Sequence, residues 1–166
     1  MSVQSIISIL EKLEKMHKSL LEHAYRKTEI VKNNDMAELD ELLKIEQSHV
    51  AAIETLEQQR QIKVKEYFQL KGIETPESPT VAQLIEVTEN EAERKQLEDV
   101  RERLLKIIDE LKAQNELNQQ MIFNSLQFVN MSLNLLRPQP EQFNYSGKEV
   151  RGANVAPKKS LFDSQA

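Results

Sequence analysis

The chain has no cysteine, only three glycines in 166 residues, and no run of apolar residues long enough to span a membrane. Lack of cysteine excludes disulfides, CxxC redox chemistry and thiolate metal sites, and is compatible with a reducing cytoplasm. Scarce glycine argues against a sheet protein of short strands and tight turns, and no strand-like alternation occurs. There is no basic surplus either. The net charge of −5 disfavours nonspecific nucleic-acid binding, which needs Lys and Arg concentrated on one face. Residues 1–10 have neither a basic n-region nor a cleavable apolar core, so export by a signal peptide is not expected and a cytoplasmic location is. No glycine-rich phosphate loop, Cys nucleophile or Ser/His/Asp pattern is found, so no enzyme is expected.

What is present is helix-forming sequence, 39% hydrophobic and 30% charged, of a length usual for one domain. The spacing predicts helices over about 4–32, 35–71, 80–88 and 90–136, with a bundle of residues 1–137 and a tail of 138–166. Ile6, Leu10, Leu13, His17, Leu20, Ala24 and Val31 form a first seam near the 3.5-residue repeat of a coiled coil. Residues 32–35, Lys-Asn-Asn-Asp, then reverse the chain in a helical hairpin. A second seam runs through Leu39, Leu42, Glu46, His49, Ile53, Leu56, Arg60, Val64, Tyr67 and Leu70, with Gly72 as the stop. A proline-containing loop leads to a short helix capped by Thr80. The last helix has its seam at Leu97, Val100, Leu104, Ile108, Leu111, Asn115, Asn118, Ile122, Ser125, Val129, Leu133 and Leu136, and ends before Pro138. The expected fold is all-α: an elongated, antiparallel, three-helix, coiled-coil-like bundle with a short connecting helix and a disordered C-terminal tail.

At 1.5 Å per residue the three long helices measure roughly 42, 54 and 68 Å, so the last outruns the hairpin. If it packs antiparallel to the second helix, its final turns project past the Asn33–Asn34 reversal. Between residues 117 and 136 it has no charge, yet it keeps Met121, Phe123, Phe128, Met131 and Leu135 away from the seam row. One seam covers a stripe of roughly 100°, so these five are candidate partner-binding residues. Methionine suits a surface that adapts to more than one partner.

Counted from Arg137, the tail carries +2 and the remainder −7, and it holds Phe143, Tyr145, Leu161 and Phe162. Its aromatics either dock into another protein or fold back onto the end of the last helix.

Glu46, His49, Arg60, Asn115 and Asn118 fall on seam positions, where polar groups fix register and orientation. Glu14 with His17, and Glu46 with His49, repeat the Glu-x-x-His spacing of di-iron carboxylate bundles. Such a site also needs carboxylates from two further helices. Only one more long helix is predicted, and it offers Asn115 and Asn118, so no metal and no cofactor are expected. A di-metal carboxylate protein is the remote alternative, and a self-associating coiled-coil adaptor the nearer one.

Asn34-Asp35 before a leucine seam, Glu46 to Ile53, Leu56 to Arg60, the stretch LKAQNELN at 111–118, the ending Leu135-Leu136-Arg137-Pro138, and a tail with Tyr145, Gly147 and Lys158-Lys159 occur in a specific order. In that order the chain resembles the FlgN-type chaperones of bacterial flagellar export over nearly its whole length. The resemblance implies a cytoplasmic chaperone that holds the hook-filament junction proteins FlgK and FlgL, prevents their premature assembly and delivers them to the flagellar type III export gate. It also implies that the C-terminal half binds client terminal segments that become helical on assembly. A tail tyrosine, matched by Tyr145, would contact the export-gate component FlhA. Here Ser146 separates Tyr145 from Gly147, a departure from the family's Tyr-Gly pair.

Overall fold

Four helices, α1 (Val3–Lys32), α2 (Met36–Leu70), α3 (Val81–Val87) and α4 (Glu91–Leu136), form the fold of residues 3–137, the part of the chain that the computed structural model describes. The expected tail lies outside the described residues. Among those residues there is no strand.

The α1–α2 reversal is compact because two capping devices share residues. Asn34 adopts the left-handed conformation at φ 57°, its N–H donating to Val31 O and that of Asp35 to Ile30 O, the paired bonds of a Schellman end. Asp35 then caps α2, its carboxylate accepting from Glu38 N at 3.0 Å. The end of α2 repeats the Schellman motif with Gly72 at φ 67°, where Ile73 N donates to Phe68 O and Gly72 N to Gln69 O. Ile73 is thereby brought against the core. A capping box of Thr80 and Gln83 starts α3, and the Asn90 side chain accepts from Ala92 N and Glu93 N to start α4.

Side-chain pairs fix the directions. Arg26 with Glu38, Lys27 with Glu46 and Ser19 with His49 set α1 and α2 antiparallel. Arg103 with Glu14, Gln114 with Thr28 and Asn118 with Ala24 set α4 parallel to α1. The fourth helix therefore does run opposite to α2, but the close backbone approaches are α1 to α2 and α1 to α4, leaving α2 and α4 apart. Adjacent buried pairs on α1, Ile6 with Ile7 and Ile9 with Leu10, explain its central place. Neighbours in a helix point about 100° apart, so these pairs widen the apolar stripe enough for two partners.

The main core gathers at one pole of the bundle. There Val3, Ile6, Leu10 and Leu13 of α1 meet Val64, Tyr67 and Phe68 of α2, Leu97 and Val100 of α4, and Leu84 of α3, which closes that end. The seam expected for α2 shifts at its close, since Phe68 is buried whereas Leu70 is exposed. A straight helix drifts ~20° per heptad from a 3.5-residue repeat, and by the end of α2 the buried row has moved on.

Because only the backbone sign of φ constrains residue 34, Asn34→Gly should leave the thermal midpoint unchanged or higher. Asn34→Val should destabilise by about 1–2 kcal/mol, the cost of a β-branched side chain in the left-handed region. Paired melts by circular dichroism check both.

Candidate functional site

The register between α1 and α4 rests on a buried polar layer. Asn118 is only 2% exposed. Its amide donates to Ala24 O at 2.8 Å and its carbonyl accepts from the Thr28 hydroxyl at 2.6 Å, while Gln114 Nε2 donates to that hydroxyl at 2.6 Å. Asn115, expected in the same layer, is exposed. It stands at the mouth of a cleft of about 230 Å³ between α2 and α4, floored by Leu20 and Lys27 and walled by Glu46, Val50, Leu111 and Ile122. Three residues from Asn118, Asn115 lines the gap between the helices and stays exposed.

The other polar seam residues each meet a partner. Glu46 pairs with Lys27 at 2.7 Å, both side chains mostly buried. His49 Nδ1 lies 2.9 Å from Ile45 O and so carries the proton, leaving Nε2 to accept from Ser19 Oγ at 2.8 Å. The His23 ring meets the His49 ring edge-on at 5.1 Å. Arg60 is buried. It donates through Nε to Glu57 and through Nη1 to Pro79 O at 3.0 Å, tying the loop before α3 to α2. Hydrogen bonding from Arg60 holds the Glu57 carboxyl below the ordinary carboxylate range, against the opposing effect of burial. The two Glu-x-x-His pairs do not converge: Glu14 accepts both Nε and Nη2 of Arg103, whereas Glu46 is held by Lys27. Among the described residues no group of three or more His, Asp or Glu is placed to hold a metal ion.

Beyond Ile122 the surroundings change. The α1–α4 pairings place the end of α1 level with Ile122, so among the described residues the next turns of α4 run past the Asn34 corner with no helix alongside. Residues 123–136 extend for about 20 Å at 1.5 Å per residue. Phe128 is 73% exposed, Met131 65% and Leu135 84%, with Phe123 also exposed and Met121 half-buried. Leu126, Val129, Leu133 and Leu136 are exposed as well. Val129, Leu133 and Leu136 are seam positions by periodicity, yet the seam has nothing to meet there, and periodicity alone does not report where the partner helix stops. A shallow cleft of about 310 Å³ lies where Asn34 faces Asn124, Ser125, Phe128 and Val129. Ser125 and Ser132 donate to Met121 O and Phe128 O, each at 2.9 Å, which keeps their hydroxyls engaged along the helix.

Contiguous exposed apolar surface is uncommon on soluble monomers, and this stretch of α4 presents one. It bears no ionisable side chain from residue 117 to 136, so it offers apolar contact and amide hydrogen bonds. Tyr145 lies outside the described residues. No helix among the described residues is long and apolar enough to cross a membrane.

The described residues form a long helical bundle in which the end of one helix stands bare. The family model described as FlgN protein matches residues 1–150, and the chain belongs to the FlgN family of flagellar export chaperones. It is similar to the protein YvyG of Bacillus subtilis (strain 168), described as uncharacterized, at 34% identity over 166 residues covering the whole of both chains. No solved structure matches it.

Glu57 gives a pH test of the Arg60 tie. A carboxyl whose folded pKa is depressed adds stability above its unfolded pKa and loses it as pH falls through the folded value. Glu57→Gln should therefore be less stable than the parent at neutral pH, by no more than about 1 kcal/mol because the pair is partly solvent-screened. The gap should close on acidification below pH ~4, as read from urea midpoints across the range.

Proposed function

We propose that this chain is a cytoplasmic chaperone of the hook-filament junction proteins FlgK and FlgL. In this reading it binds their terminal helical segments on the bare end of α4, prevents premature assembly and hands them to FlhA at the type III export gate. The observation that carries the proposal is the exposure, among the described residues, of Phe123, Phe128, Met131 and Leu135 on a helix that outruns α1, in a chain of the FlgN family. An amphipathic client helix presents apolar anchors at i, i+3, i+4 and i+7, and Phe128, Met131 and Leu135, at i, i+3 and i+7, share one face of α4 against which such a row fits. Met121, half-buried where the bare stretch begins, would close the inner end of the contact. Covering the client's apolar face removes the surface through which it self-assembles. Tyr145, on the segment that follows α4, is assigned to gate docking.

Fully burying one large apolar side chain contributes about 1.5–3 kcal/mol. Phe128→Asp with Met131→Asp should thus weaken binding of a FlgK or FlgL terminal segment by at least about a hundredfold, with helicity retained. Titration calorimetry alongside circular dichroism reads this, and unchanged affinity would refute the surface assignment. Light scattering adds a second arm, in which a stable dimer buried through α4 would favour the self-associating adaptor.

Tyr145→Ala should leave client binding at least as strong and reduce capture by FlhA. Pull-downs of client and gate in parallel check this division, and the reverse pattern counts against it.

A further inference from the structure

Between 123 and 136 the apolar side chains of α4 have no cover from the bundle, and the chain continues directly from that stretch. Arg137, at φ −67° and ψ 127°, leaves the helix in an extended conformation, as a residue before proline favours. The first aromatics beyond it are Phe143 and Tyr145. At up to about 3.4 Å per extended residue they lie within roughly 20 and 27 Å of Arg137. Returning from Arg137 to the level of Phe123 takes about 21 Å along the helix axis. The intervening chain is therefore long enough to span from Arg137 back to the bare surface, and to Phe128 with length to spare.

We infer that in the client-free chain the segment of residues 143–145 covers the bare end of α4. Two arguments favour it over a second copy of the chain. A short tether holds a ligand at a millimolar effective concentration, which a separate molecule matches only when it is itself that concentrated. The surface is also uncharged from 117 to 136 while the segment of residues 142–147 is Gln-Phe-Asn-Tyr-Ser-Gly. Neither side has to desolvate an ion, and the Asn and Gln amides of both can pair. For client binding, where the inference rests on the reading above, an arriving segment has to displace the chain's own residues, so measured affinity is reduced by the fraction of covered molecules.

The chain has no cysteine, so Ser146→Cys accepts a single nitroxide on the full-length protein. Amide signals of residues 123–136 should broaden, and the added relaxation should fall at least twofold when Phe143→Ser and Tyr145→Ser are introduced together. Equal relaxation in the two proteins would mean that the segment is merely tethered, and would overturn the inference. Broadening transferred between labelled and unlabelled chains in a mixed sample would place a second copy on the surface and overturn it as well. No client is present in these measurements, so their failure is separate from a failure of the calorimetric test.

Discussion

The parallel register between α1 and α4 is the constraint on which the exposed surface depends. Asn118 can satisfy its amide only opposite Ala24 and Thr28. Sliding α4 by one turn would set Gln114 or Ile122 at that level and strand a buried polar group, at a cost of about 1–3 kcal/mol. The forked Arg103–Glu14 pair repeats the same offset nearer the core. With the register held and α1 stopped at Lys32 by Asn34, the residue at which α4 loses its neighbour is determined. The bare stretch is thus a product of two lengths and one polar layer.

The two poles of the bundle differ in kind. Around Leu84 and Leu97, side chains from all four helices interlock with almost no exposure. Toward the Asn34 corner the contacts thin to Ala24, Ile30, Val31, Leu42 and the Asn118 layer. α4 follows the same gradient in its composition, densely charged from Glu91 to Glu116 and neutral afterward. Charged faces keep the first part soluble where its apolar stripe is hidden, and amides do so in the second part without fixing a charge pattern on a partner.

Much of this was readable from residue chemistry. Asp35, Thr80 and Gly72 announce their caps because each supplies a group or conformation that other residues lack, and the all-α class follows from the periodicity. The order of pieces from Asn34 to Pro138 pointed to the family. Less legible was which helix sits in the middle. A 3.5-residue seam assigns each helix one stripe, whereas Ile7 and Ile9 broaden that of α1 only in company with Ile6 and Leu10. Asn115 and Asn118 read alike in sequence, and the difference between them lies in Thr28, ninety residues away along the chain. Leu126 and Val129 joined the bare surface for a similarly remote reason, the endpoint of α1. The roles of Glu46 and Glu14 are set by Lys27 and Arg103, partners that the Glu-x-x-His spacing does not report.

The concentration of packing around Leu84 has an evolutionary consequence. Residues that hold the fold and residues that face outward on α4 hardly overlap, so on the proposed reading selection on folding and selection on recognition act on separate positions. Substitution at Phe128 or Leu135 removes little contact with the bundle and leaves the hydrophobic interior whole. Specificity on such a scaffold is free to drift toward a new cargo while the architecture stays put.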